Sequence, residues 1–439
     1  MLNSRSRAKY CVPMLLLIFI LALAPHASAQ PLTLRRAVEL ALQHSTGVAI
    51  ADLDEKRAQQ NQLEIRNAFI PQVNVGAGLG YNNGFPLSLE NLAPSLLNVT
   101  TQAYVINMAQ RQFMNAAKHD LAAFSKLSED RRSQVVFDTA LAYTELDKIE
   151  NSLNVLEKQQ TAAARVQTVS QERIQAGVDS TVELTRAKLN TARVRLTMEQ
   201  SRGQRDLLRV RLSQLTGLPA ASFETVSDSI PPLPAPVSEN DFVSKAVSVN
   251  SSIQVANEQA AAKELRAKGE HRQLWPSVDS AMQYALLAHY NNYDVFFRRD
   301  TFQQNNLTVG VVVRFPIFNS VLRAHASAAD YESLKAKKEA EEIKNQVATE
   351  AMKLQTTVRQ LAAARDVAQL EYQLAGNDVQ TIQARLDTGA ATIRDQENAR
   401  LAENQKYAAY IDATYELDRT LMQLLRATGD IQSWATSGK

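Results

Sequence analysis

The chain has 439 residues, a length that ordinarily holds two or three domains. Its 14 glycines and 13 prolines are few for that length, so turns should be few, and Ala, Gln, Leu, Arg and Glu favour long helices. The 48 basic and 46 acidic side chains leave a formal charge of +2, which excludes a strongly cationic nucleic-acid binder, and one cysteine excludes an intrachain disulfide and a zinc site.

Residues 1–29 read as a signal peptide. Arg5, Arg7 and Lys9 form a positive n-region, Met14 to Ala24 an apolar core, and Ala27-Ser28-Ala29 a cleavage site. The apolar run is shorter than the roughly 20 residues of a membrane-spanning helix. Cleavage after Ala29 removes three basic residues, 48 − 3 = 45, so the mature chain carries −1. It also removes Cys11, leaving Gln30 as the first residue and no cysteine to oxidise or lipidate.

The rest divides into two copies of one pattern. Phe69-Ile70-Pro71-Gln72-Val73 is matched by Leu274-Trp275-Pro276-Ser277-Val278, an offset of 276 − 71 = 205. Beyond that point the offset is 319 − 107 = 212, and it holds for Asn107/Asn319, Arg111/Arg323, Arg173/Arg385, Gly177/Gly389, Asp206/Asp418 and Gly217/Gly429. The second copy therefore carries 212 − 205 = 7 extra residues between its proline and its Asn-x-x-x-Arg. The organisation predicted is a first repeat over 30–220, a linker over 221–238 stiffened by Ile230-Pro-Pro-Leu-Pro-Ala-Pro236, a second repeat over 239–430 and a short tail over 431–439.

Each repeat reads as helix, two strands, long helix and return helix. Thr33 is the N-cap of a helix over about 34–68 that stops before Pro71. The period then changes to two. Strands are predicted over 71–83 and 96–107, and again over 276–293 and 302–316. Val73, Val75, Ala77, Leu79 and Tyr81 alternate with polar or glycine neighbours, and Leu307, Val309, Val311, Val313 and Phe315 share one face. Such strands face lipid on one side and water on the other, or half-line a soluble core. Tyr81, Tyr290, Tyr293, Phe296 and Phe297 suit an interfacial aromatic girdle.

Helical hairpins are predicted over 109–217 and 320–429. No glycine or proline interrupts Ala109 to Ala176, a helix of about 100 Å at 1.5 Å per residue. Leu146, Ile149, Leu153 and Leu156, and likewise Val347, Ala351, Leu354, Val358 and Leu361, take coiled-coil steps of three and four. Glycine marks the turns, Gly177 with Val178 in the first hairpin and Gly389 in the second. Two strand hairpins per chain leave open edges that cannot sit in lipid. Two copies would give eight strands and a filled bore, and three copies twelve strands and a water-filled one.

The duplicated proline-started strand hairpins, the ungapped long helices, the Arg-x-x-x-Gly breaks at Arg173 and Arg385 and the proline-rich midpoint resemble the TolC-type outer-membrane efflux proteins. The likeness covers the chain from Gln30 onward. It implies a mainly α fold with membrane β-structure, in which a homotrimer forms a twelve-stranded barrel in outer-membrane lipid, continuous with a helical periplasmic tunnel. It implies a periplasmic adaptor and an inner-membrane transporter of RND, ABC or MFS type as partners. The function implied is a passive exit duct for drugs, metals, other toxic compounds or secreted substrates. Many relatives begin with a lipidated cysteine and some have a long C-terminal tail; this chain has neither.

By the same resemblance an acidic residue six positions after the second glycine, here Asp395, rings a closed entrance, with Asn398 where a second Asp is often found. The matching first-half positions are Glu183 and Arg186. A first-turn acid is also favoured by the helix N-terminus alone. Arg173, Gly177, Val178, Arg385 and Gly389 are the expected adaptor-docking positions, and plain helix C-capping explains the same residues. No catalytic, cofactor or metal motif is present in the sequence, and the five histidines that follow the signal peptide form no ligand pair. An enzyme is not expected. Asn98-Val-Thr100 matches a glycosylation sequon too short to carry weight. The competing class is a soluble periplasmic coiled-coil adaptor.

Overall fold

The computed structural model describes residues 30–77, 95–177, 180–234, 242–287 and 303–438. The signal peptide, Val178 and the five girdle aromatics lie outside these residues, as do the turn-proximal ends of the predicted strands. In chain order the elements are β1 (Gln30–Leu32), α1 (Leu34–His44), α2 (Thr46–Asn67), β2 (Gln72–Gly76), β3 (Ser95–Ile106), α3 (Met108–Gln175), α4 (Thr181–Thr216) and β4 (Phe223–Thr225). They continue with α5 (Phe242–Val249), α6 (Ser251–Arg272), β5 (Ser277–Leu287), β6 (Asn305–Arg314), α7 (Ser320–Asp387), α8 (Ile393–Ala427) and α9 (Ile431–Thr436).

The two offsets survive as structure. α3 and α7 each run 68 residues, and their first residues stand 320 − 108 = 212 apart. α2 and α6 each run 22 residues, starting 251 − 46 = 205 apart. The strand register repeats as well. Gln72 faces Gln102 in the first hairpin, and Ser277 (72 + 205) faces Arg314 (102 + 212) in the second.

Packing follows two compact units. One is drawn from residues up to Thr46, Val135–Leu233 and Ile431 onward; the other from Gly47–Gln134 and Pro234–Asp430. In the first unit β1 pairs in parallel with β4, Gln30 facing Phe223. Leu34, Val38, Val136, Leu146, Leu212, Phe223 and Ile431 are buried there. Tyr143 from α3 enters this core and its hydroxyl donates to the Leu32 carbonyl at 2.6 Å while accepting from the Val226 N–H at 2.8 Å. Ser229 Oγ lies 3.0 Å from the same oxygen, and burial pushes the phenol pKa up.

The second unit contains the sheet, in the order β2-β3-β5-β6 with every neighbour antiparallel. α6 lies against α7, and α7 pairs with its return helix α8. The coiled-coil positions on α7 are occupied as spaced, with Ala351 and Val358 buried and Leu354 and Leu361 half-buried. Burial pushes the Asp418 carboxyl on α8 up to about 6, although Arg365 pulls it down. Its repeat counterpart Asp206 is exposed and bonds Arg205 instead. A carboxyl raised above its ordinary 3.8 destabilises the fold fully above pH 6, and the cost fades as pH falls toward 3.8. Asp418→Asn should therefore stabilise the protein at pH 8, by about 1–3 kcal/mol, and leave melting at pH 4 nearly unchanged. Thermal denaturation in detergent at the two pH values checks this.

The structure differs from the sequence expectation in three respects. The helix over 34–68 is two helices, because Ser45 is buried with extended backbone (φ −63°, ψ 123°). Its counterpart 205 residues on, Asn250, breaks the second copy too and caps α6 through a bond from the Ile253 N–H at 3.2 Å. At Asn250 the side chain itself takes up a backbone N–H, as a short polar residue does at a helix start. β1 and β4, three residues each, were not expected. The tail over 431–439 is largely α9, whose buried Trp434 donates from Nε1 to the Pro232 carbonyl at 3.3 Å.

Candidate functional site: the sheet faces and the helical tips

Pleating sorts the sheet's side chains into two sets, and the register shows which residues share a face. Val73 faces Thr101, Thr101 faces Met282 and Met282 faces Val309. Val75 faces Val99, Val99 faces Tyr284 and Tyr284 faces Leu307. Val311 and Val313 complete this face on β6. The other face carries Gln72, Asn74, Asn98, Thr100, Gln102, Gln283, Asn306 and Thr308. The apolar set is not a core. Val75 is 67% exposed and Val309 70%. A soluble half-buried sheet would hide that set.

On the polar face Asp279 is 1% exposed, and Arg314 from the adjoining strand reaches its carboxylate at 3.0 Å. Sequence reasoning did not single out this pair, although Asp279 and Arg314 both stand at polar positions of the alternation. β2 and β6 are the outer strands, and among the described residues each has one edge without a strand partner.

At the helical tips Gly177 (φ 73°) and Gly389 (φ 76°) both take the left-handed conformation. A Cβ at either would meet nothing within 4 Å, so backbone conformation alone selects glycine. Gly389 donates to the Leu386 carbonyl at 3.0 Å and Ala390 to the Arg385 carbonyl at 2.7 Å, closing the end of α7. Gly177 donates to the Ile174 carbonyl at 2.9 Å. Arg173 and Arg385 stand in the last turns of α3 and α7, exposed.

Six residues past each glycine the halves diverge. Arg186 bonds Glu183 at 2.7 Å, a neutral pair. In the second half Asp395 is exposed and forms a capping box with Thr392. Its carboxylate accepts from the Thr392 hydroxyl at 2.7 Å and N–H at 2.9 Å, and the Asp395 N–H donates back at 3.2 Å. The side-chain bond from Thr392 leads in holding the carboxyl below its usual range. Asn398, also exposed, supplies no cation to Asp395 where Arg186 supplies one to Glu183. Thr392-x-x-Asp395 is a capping-box spelling that the sequence already contained. Among the described residues no three His, Cys, Asp or Glu side chains gather as a metal site, and no helix is long and apolar enough to cross a membrane.

The structure thus joins an amphipathic antiparallel sheet to long helical hairpins, and the pattern occurs twice along the chain. The profile of the outer membrane efflux protein family matches residues 37–218, most of the first repeat. No curated protein matches the chain in sequence. Solved structures match over nearly its whole length. VceC, an outer membrane protein of Vibrio cholerae, is 18% identical with a TM-score of 0.72, covering 89% of this chain and 95% of that one. The CmeC outer membrane channel of Campylobacter jejuni is 15% identical at 0.74, covering 90% and 85%. The open state of the Neisseria gonorrhoeae MtrE outer membrane channel is 14% identical at 0.71, covering 90% and 89%. The first repeat thus carries the outer membrane efflux protein signature, and the whole chain has the fold of TolC-type channels.

Proposed function

We propose that the protein is an outer-membrane exit duct, a passive conduit through which small toxic compounds or secreted substrates leave the cell. The observation that carries this reading is the sheet: one exposed apolar face, one polar face, and outer edges that have no strand partner among the described residues. Lipid covers the first face, water fills the space behind the second, and other copies of the chain pair the edges. Because β2 and β6 run antiparallel to each other, a β6-to-β2 junction between copies repeats the pairing found within the chain. Three copies give twelve strands and an open lumen. The helices form the periplasmic part, an adaptor docks at the turns near Gly177 and Gly389, and an inner-membrane transporter of RND, ABC or MFS type supplies the energy. A soluble adaptor would leave the apolar sheet face in water, which disfavours that reading.

Cell envelopes separated on a sucrose gradient test the proposal. The protein should travel with the outer membrane and resist extraction by carbonate. Recovery in the soluble periplasmic fraction would place it with the adaptors.

Asp395 and Asn398, with Glu183 and Arg186, are proposed to line the periplasmic entrance. The first pair leaves three carboxylates around a threefold axis, while the second is neutral. Asp395→Asn removes that charge and keeps an acceptor for the capping bond, whereas Thr392→Val weakens the cap and keeps the charge. In planar-bilayer recordings Asp395→Asn should abolish block by multivalent cations, and Thr392→Val should retain it. Unchanged block in Asp395→Asn would leave Asp395 only its cap.

A further inference from the structure

Within one chain, the first repeat already touches the second, and that contact serves as a template. In the sheet β3 pairs β5. Among the helices α3 meets α6: His119 Nδ1 lies 2.7 Å from Glu258 Oε2, Arg266 bonds Asp120, and the Phe113 ring crosses Gly269. A Cβ on Gly269 would stand 2.5 Å from Phe113 Cε1, so the helices approach closely there. The reverse step, second repeat onto a first repeat, would bring β6 to β2 and α7 to α2. Resting on the ring assembly proposed above, it falls between copies.

Transposing the template by the two offsets names the residues that meet. His119 becomes Tyr331 (119 + 212) and Glu258 becomes Leu53 (258 − 205). Phe113 becomes His325 and Gly269 becomes Glu64. We propose that in the assembled protein Leu53 packs on the partner's Tyr331 and Glu64 faces the partner's His325.

Three observations support this docking surface and its occupant, a second copy of the chain. Leu53 and Tyr331 are 63% and 74% exposed, large apolar residues standing at transposed positions of an ion pair. Both members are large and apolar where the template has an ion pair, so complementarity is kept with a different chemistry. Second, the corresponding surfaces are buried in the template and bare here. Ala116 on α3 is buried and its counterpart Ala328 on α7 is exposed; Ala262 on α6 is buried and its counterpart Arg57 on α2 is exposed. Third, the sheet gives the same answer from its own register. Ser280 faces Ala103 within the chain, and the transposed positions are Val75 and Phe315, 67% and 63% exposed. Helix layer and strand layer point to the same neighbour.

The mature chain has no cysteine, so introduced thiols report without background. Leu53→Cys combined with Tyr331→Cys, treated in outer membranes with a short bis-maleimide, should give a covalent ladder ending at three chains on denaturing gels. Neither single variant should do so. Mass photometry of the same preparation reports assembly independently. A trimer that gives no ladder overturns the contact and leaves the duct reading standing; a monomer overturns both. If the cysteine pair fails to reach the membrane, Leu53→Glu with Tyr331→His rebuilds the intrachain pair between copies. Leu53→Glu alone should lower the temperature at which the oligomer dissociates, and adding Tyr331→His should restore it. No restoration would also overturn the contact.

Discussion

Val309→Arg should remove the protein from the outer membrane, while Thr308→Arg, one residue earlier, should leave its abundance near wild type. Val309 is in the body of β6, 70% exposed, beside Met282 across the strand and Leu307 and Val311 along it. If that face meets lipid, an arginine near mid-depth costs about 2–4 kcal/mol in each chain, and every copy in the ring carries it. Thr308 faces Gln283 on the opposite side, where water solvates a guanidinium and the added charge should shift ion selectivity toward anions. Immunoblots of fractionated outer membranes read the first effect and reversal potentials the second. The converse pattern, with Val309→Arg inserted and Thr308→Arg lost, would mean that the faces have been assigned backwards.

Tyr143→Phe should be the most damaging removal of a single atom in the first compact unit. The hydroxyl joins three segments distant in sequence: it donates to Leu32, accepts from Val226 and lies beside Ser229, which itself donates to the Val226 carbonyl at 2.6 Å. Ser229 also accepts from the Leu34 N–H at 3.1 Å, so one network holds β1, the start of α1 and the segment after β4 against α3. Phenylalanine fills the same space but leaves the Leu32 carbonyl and the Val226 N–H without this partner. The cost of buried groups stripped of partners is about 1–3 kcal/mol. A lowered melting temperature and faster proteolysis near Leu32 and Val226 are the expected readouts. A variant that melts like wild type would show that water replaces the hydroxyl without loss.

The fold was legible mainly because it occurs twice. An offset of 205 before the strand turn and 212 after it, read from prolines, glycines and an Asn-x-x-x-Arg, also gives the register Gln72–Gln102 and Ser277–Arg314. Long helices were legible because nothing in Ala109 to Ala176 can stop one. The break at Ser45 was not, since serine inside an amphipathic run is compatible with a continuous helix and only its buried extended backbone decides. β1, β4 and α9 are too short for a period to register, so their residues become informative only through partners far along the chain, such as Phe223 for Gln30 and Pro232 for Trp434.

The tips were half legible. Glycine at 177 and 389 marked the turns, and both glycines have the expected positive φ. The division of labour six residues later was not read, although its spelling was present. Glu183 is neutralised by Arg186, while Asp395 serves Thr392 and keeps its charge. Two positions equivalent by repeat therefore differ in the partners of their carboxylates.

Electron cryomicroscopy of the protein in lipid discs decides whether the sheet is part of a membrane barrel. The expected result is a closed barrel of twelve strands, β2-β3-β5-β6 taken three times, with Val75, Met282 and Val309 against lipid and Gln102, Gln283 and Thr308 toward the lumen. A sheet lying outside the lipid, or a barrel with Val309 turned inward, would contradict it.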